Sequence, residues 1–278
     1  DSNATHRNEE PGMLSDIIVH MDRGAGCTAR LMAAIDLAQR HRARLKGLYV
    51  ITHPHYTSSS TYLADFGQVR EFFINAASKA GVEAEWLLVD WNIAGVPVHD
   101  IIVRHACSTD LILVGRPQQQ DQRAALTFHE GLLLGSGRPI VAFPADGELF
   151  RFGERILVAW KGGRESVRAV HDALPLLQQA QEVTIAAVVG TATEQENEER
   201  VLEELLPHLE RCGVRARVEL LSPAAGGIAG TLLQYAGQAS SDLLVLGGAA
   251  YKSNRAPFIS PLARELLFRA PLPLMLSH

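Results

Sequence analysis

Two short apolar runs begin with aspartate and end in glycine: Asp110-Leu-Ile-Leu-Val-Gly115 and Asp242-Leu-Leu-Val-Leu-Gly247. A buried strand that stops at glycine lets backbone N–H groups approach a ligand, and a helix N-terminus beyond it adds a positive dipole, which suits a phosphate. After Gly247 come Tyr251, Lys252, Ser253, Asn254 and Arg255, and then Ser260-Pro261. Lys252 and Arg255 supply cations, and Ser260 offers a hydroxyl and a backbone N–H where Pro261 would open a helix. Two further turns also follow apolar runs, Asp22-Arg-Gly-Ala-Gly26 and Lys161-Gly162-Gly163.

Other patterns are weaker. Tyr251-Lys252-Ser253 imitates the end of a phosphate loop, but tyrosine stands where glycine is required and Pro257 sits where the helix should be running. His53 and His55 have a chelating spacing with no third ligand near them, so no metal is expected. Cys27 lies near a helix start, where the dipole would lower a thiol pKa, but a partly buried structural cysteine is the commoner case and is the reading taken, with a redox thiol as the alternative. Trp91 and Trp160 stand at strand ends, either to stack on a base or to cover the sheet. No catalytic triad or pair of carboxylates in a glycine-rich cleft is evident, so an enzyme is the weaker class.

The elements that must position these residues follow from periodicity. Strands are expected at 17–21, 45–51, 84–89, 111–114 and 139–143, with helices at 27–41, 66–80, 98–106 and 128–134 between them and 53–62 as a loop. The pattern restarts with strands at 156–160, 183–189, 216–221, 243–246 and 272–276. Helices are expected there at 164–177, 194–212, from after Gly226-Gly227 to about 239, and 262–268. Alternating strands and helices predict parallel sheets covered on both faces. Turn-forming and charged residues interrupt the pattern once, dividing the chain into 13–145, a linker at 146–154, and 155–278.

A net charge of −5 gives no general attraction to nucleic acid or an anionic membrane, so any anion site must be local. No apolar run is long enough to span a bilayer, and three scattered cysteines suggest neither a disulfide framework nor a zinc site. A cytoplasmic protein is expected. Ser2-Asn3-Ala4 reads as the scar of a cleaved tag, and residues 1–12 are left out of the fold reasoning.

Side by side, Ile17-Ile-Val-His-Met-Asp-Arg-Gly and Ile156-Leu-Val-Ala-Trp-Lys-Gly-Gly are equivalent, as are the two aspartate-to-glycine strands. With Ser136-Gly-Arg-Pro139 and the closing run Ala263 to His278, the chain resembles a tandem universal stress protein. The resemblance implies an α/β fold of two Rossmann-like five-stranded parallel-sheet domains, strand order 3-2-1-4-5, related by a pseudo-twofold and paired through their fifth strands. One branch of that family binds ATP, with an acid after the first strand that bonds the adenosine and a G-x2-G-x9-G-[S/T] motif after the fourth.

In the first half Asp22 and Gly115 match that pattern. Gln118 replaces the second glycine, Leu126-Thr127 is the nearest counterpart of the last pair, and Pro117 removes a donor. Asp22 is read first as a loop acid or helix N-terminal partner of its own turn, ahead of a ligand contact. In the second half Lys161 replaces the acid, Gly247 is kept, Ala250 takes the second glycine position and Ser260-Pro261 the last pair. The expectation is a bacterial, non-catalytic stress-response regulator or sensor that binds ATP, another adenine nucleotide or another small phosphorylated ligand in its second half. The site residues would be Lys161, Gly162, Gly247, Tyr251, Lys252, Ser253, Asn254, Arg255 and Ser260. The alternative is an interaction module for a protein partner, with both sites vestigial, and third comes a weak ATPase. Assembly as an intramolecular domain pair is expected, with a homodimer left open.

Overall fold

The computed structural model describes residues 13–51, 59–90, 95–116, 122–145, 151–250 and 257–278; for 59–65 and 122–125 it describes the backbone alone. The first half runs β1 (Asp16–Met21), α1 (Cys27–His41), β2 (Arg44–Ile51), α2 (Ser59–Lys79), β3 (Ala84–Asp90) and α3 (Val98–Ala106). It closes with β4 (Leu111–Gly115), α4 (Gln122–Gly135) and β5 (Ile140–Phe143). The second half runs β6 (Arg155–Trp160), α5 (Gly163–Leu177), β7 (Glu182–Val188), α6 (Ala192–Arg211), β8 (Ala216–Leu221) and α7 (Gly227–Gln238). It continues through β9 (Leu243–Gly247), β10 (Ala249–Ala250), β11 (Phe258–Ile259), α8 (Pro261–Arg269) and β12 (Leu274–Ser277).

Ten of these strands form one sheet, ordered β3-β2-β1-β4-β5-β12-β9-β6-β7-β8. Each half therefore has the order 3-2-1-4-5 counted in its own strands. All neighbours are parallel except β5 and β12, which pair antiparallel with Ile140 opposite Leu276, Val141 opposite Met275 and Ala142 opposite Leu274. That register is symmetric about the Val141–Met275 pair, which puts the pseudo-twofold there.

The strands are apolar on both sides because both faces are covered. Ile17, Val19, Leu113, Val158, Val245 and Met275 join the helices α1, α2, α5 and α6 in one core. Ile18, Ile112, Leu157, Leu244, Leu246 and Leu276 join α3, α4, α7 and α8 in the other. Each core runs through both halves. Within the expected linker, Phe152 is fully buried and sits edge-on to Phe143 at 5.1 Å.

The opening aspartates of the two glycine-ending runs work at the opposite end of the sheet from the glycines. Asp110 accepts the N–H groups of Ser15 and Asp16 at 2.6 and 3.1 Å. Asp242 accepts those of Gly153, Glu154 and Arg155 at 2.9 to 3.1 Å. Each thus anchors the start of its half's first strand. Among the described residues no helix is long and apolar enough to cross a membrane.

Two differences from the periodicity have physical causes. Helix α2 begins at Ser59, inside the stretch expected as loop, because polar Ser59 to Thr61 give no apolar spacing to read. Strands β10 and β11 have two residues each, too short for any period to register.

Candidate functional site

In an open α/β sheet, ligands bind outside the carboxyl ends of the strands where the strand order reverses. Those points lie between β1 and β4 in the first half and between β6 and β9 in the second. Asp22 follows β1 and Gly115 ends β4; Lys161 and Gly162 follow β6 and Gly247 ends β9. The fold therefore brings Asp22 and Gly115 to one crevice, and Lys161, Gly162 and Gly247 to its counterpart.

The first crevice is filled by its own side chains. Arg30, on the apolar stripe of α1 with Ala33, Ala34 and Leu37, is only 2% exposed. Its guanidinium holds Asp22 Oδ2 at 2.7 Å and donates from Nε to the His20 carbonyl at 3.0 Å. Asp22 Oδ1 accepts the Gly24 N–H at 2.7 Å, closing the turn. His129, on α4, is buried and bonds through Nε2 to the Gly115 carbonyl at 2.9 Å. Between them, the His20 imidazole lies 3.7 Å from Asp22 and 5.8 Å, ring to ring, from Phe128. Burial, reinforced by the charges of Arg30 and His129 against the opposing pull of Asp22, pushes His20 down to about 4.

Cys27 opens α1 in the same region. Burial pushes its thiol up, outweighing the nearby Arg30, which is the opposite of what a dipole-activated redox thiol needs. The buried structural cysteine is what the fold contains.

The second crevice is built on the same frame with different contents. Positions 139 apart correspond from β1 through α1, as Ile17 does to Ile156, so His20 becomes Ala159, Asp22 becomes Lys161 and Arg30 becomes Ala169. Positions 134 apart correspond from α4 into β5, as Ile140 does to Leu274, so His129 becomes Ala263. Three polar side chains that fill the first crevice are thus alanines in the second. Lys161 is exposed, and its ammonium has no partner among the described residues. Its backbone N–H donates to the buried hydroxyl of Ser166 at 3.2 Å.

Gly162 has φ +69°, in the left-handed region that favours glycine. At Gly247 the reason for glycine is space: a Cβ there would lie 2.5 Å from the Cβ of Glu165 and 2.8 Å from its backbone. The first turn of α5 therefore packs directly on the end of β9. Trp160 is 5% exposed, and its indole N–H donates to Glu198 Oε2 at 2.9 Å, so it covers the sheet and offers no face to a base. Glu198 comes from α6, whose start is capped by the Thr191 hydroxyl, which accepts Glu194 N–H at 3.2 Å. Burial, followed by the charges of Arg164 and Arg168, pushes the imidazole of His278 down against the pull of Glu165, so cations and acids share this rim.

Ser260 is placed beside Gly248 at the start of α8. Its N–H donates to the Gly248 carbonyl at 2.8 Å, and its hydroxyl oxygen accepts Ala263 N–H at 3.1 Å as the helix cap. The backbone N–H that the sequence reading offered to a phosphate is therefore committed. Pro261 has no N–H and Arg264 N–H bonds the Ser260 carbonyl, which leaves Leu262 N–H as the first-turn donor without a partner among the described residues. The expected site residues Tyr251, Lys252, Ser253, Asn254 and Arg255 lie outside the described residues, as do Gln118, Trp91, His53 and His55.

Sequence reasoning did not single out Arg30, Glu165, Glu198 or His129. Arg30 left one signal, an arginine in phase with an apolar helical stripe. Among the described residues no group of three or more metal-ligating side chains is placed to hold a metal ion.

No family model matches the chain, and no curated protein matches it significantly. Solved structures do. It is similar to a universal stress protein from Archaeoglobus fulgidus, with TM-score 0.70 and 16% identity over 94% of this chain and 97% of that one. It is also similar to a putative universal stress protein from Pseudomonas aeruginosa, with TM-score 0.62 and 16% identity over 95% and 93% of the two chains. A third similar structure, a protein of unknown function from the same species, has TM-score 0.61 and 16% identity over 95% and 92%. At that identity the likeness is one of fold, and the chain has the fold of two universal stress protein domains fused in tandem.

Proposed function

We propose that the protein is a bacterial, cytoplasmic universal stress family member with a non-catalytic sensing or regulatory role, exercised by binding a small phosphorylated ligand in the second half. The observation that carries this reading is the exchange between the two crevices. His20, Arg30 and His129, with Asp22 neutralised by Arg30, fill the first; Ala159, Ala169 and Ala263, with the exposed cation Lys161, unpaired among the described residues, take their places in the second. A lysine without a partner attracts an anion, and three alanines remove the side chains that would compete for the space. Lys161, Gly162, Gly247 and Ser260 form the described rim; the sequence expectation adds Tyr251 to Arg255, with the cations Lys252 and Arg255, which lie outside the described residues. An adenine nucleotide is the ligand to test first.

Titration calorimetry with ATP, AMP and inorganic phosphate tests the reading. Binding by the full chain, weakened about tenfold by Lys161→Ala, is expected, since a charge-assisted bond contributes roughly that much. No binding by any of the three at millimolar concentration would overturn it. Nucleotide turnover lost in Lys161→Ala would overturn the non-catalytic part.

A second reading, an interaction module with both crevices vestigial, is favoured by Ser260, whose N–H is bonded internally, and by Glu165, which packs on Gly247. Under it the wild-type chain and Lys161→Ala would be indistinguishable in every ligand titration.

A further inference from the structure

The neck of the second-half loop is braced by the first half. Strands β10 and β11 pair Ala249 with Ile259 and Ala250 with Phe258, on either side of residues 251–256. With Ser260 N–H donating to the Gly248 carbonyl, Ala249 and Ile259 face each other as a pair that exchanges no hydrogen bonds. The N–H of Ile259 therefore points out of the hairpin, where it donates to Glu130 Oε1 at 2.9 Å. Glu130 belongs to α4, 129 residues earlier in the chain. One turn further along α4, Leu133 packs so closely on Gly248 that a Cβ there would lie 2.7 Å from its methyl. Two paired residues on each side do not make a stable hairpin by themselves. A carboxylate acceptor on a backbone N–H gives a bond stronger than a neutral one, and it comes from a helix seated in a shared core.

We propose that Glu130 is a positioning residue for the second-half crevice: the first half fixes the neck formed by β10 and β11 between Gly247 and Ser260, so ligand affinity in one half depends on a side chain of the other. The effect on affinity rests on the ligand-binding reading above, whereas the bracing of the neck does not. The brace has one direction. Arg264, which corresponds to Glu130 in the second half, is exposed, and its side chain engages none of the described residues.

Amide exchange at Ile259 and calorimetry with ATP, on the full chain and three variants, test the proposal. In Glu130→Ala the Ile259 amide loses its protection and affinity falls about fivefold or more. Glu130→Gln, which keeps a carbonyl acceptor at the same reach, restores both; Glu130→Asp, which keeps the charge but withdraws the oxygen by one methylene, restores neither. Should Glu130→Ala fail to fold, the contrast between Gln and Asp decides. Ile259 exchange unchanged in Glu130→Asp overturns the brace, and lost protection with unchanged affinity overturns the coupling. A wild-type chain that binds none of ATP, AMP and inorganic phosphate overturns the ligand reading and with it the coupling, while the exchange pattern still decides the brace.

Discussion

Arg30 and Asp22 form an ion pair in which the cation is buried and the acid, with a side chain 33% exposed, keeps contact with water. Breaking a fully buried pair from one side costs roughly 3–5 kcal/mol because the remaining charge is stranded. Here the remaining partner is partly hydrated, so Arg30→Met should lower stability by about 2 kcal/mol in urea unfolding, with part of the loss recovered when Asp22→Asn is added. Asp22→Asn alone should be the more damaging single change, since it strands the buried guanidinium. The same pair marks how far residue types could be read from sequence. Asp22 was visible as an acid after a strand, read as a loop acid of its turn ahead of a ligand contact. Its partner was not, because the seven positions between them cross the turn from β1 into α1 and only the fold brings the two together.

At the level of elements, the sequence was legible where a period lasts several residues. The strands from β1 to β9 and the helices α1, α3, α5 and α6 lie within a residue or two of expectation, since one buried face per helix and two per strand leave a repeating mark. What leaves no period stayed hidden: the two-residue strands β10 and β11, and the contact of Glu130 with Ile259, which links segments of different halves. The glycine-ending runs were legible in a different sense. Their glycines were noticed for chemistry, while their opening aspartates serve the other end of the sheet. Burial pushes the Asp242 carboxyl up despite three N–H bonds that draw it down, so those bonds offset a desolvation cost. Asp242→Ala should destabilise by about 3 kcal/mol and Asp110→Ala, with two N–H donors, by about 2 kcal/mol, measured by thermal or urea unfolding.

Across the whole molecule the two halves meet along β5 and β12 and through side chains above the sheet. His41, at the end of α1 and 1% exposed, receives Leu14 N–H at 3.4 Å on its Nδ1, with the Gln179 amide of the second half 3.3 Å from the same atom. Burial, with the charge of Arg40 second, pushes its pKa down to about 4. The unfolded chain would titrate there near 6.5. Above pH 6.5 both states hold a neutral ring; between 6.5 and about 4 the unfolded state takes up a proton that the folded state refuses, so stability falls with falling pH. His41→Gln should make urea midpoints flatter over that window, and His20, pushed down by burial as well, should account for slope that remains.

The antiparallel pairing of β5 with β12 has one more consequence, in the number of bonds the molecule can form with its own kind. A half with the order 3-2-1-4-5 ends on two strand edges, and in this chain the edges at the fifth strands saturate each other. Only β3 and β8 remain at the rims of the sheet. Pairing of like rims would leave each two-chain assembly with a rim free at either end, and pairing of β3 with β8 would propagate without closing. With the fifth-strand edges satisfied, strand addition through a like rim would close a twofold dimer by way of β3 or β8, whereas head-to-tail pairing of β3 with β8 would extend.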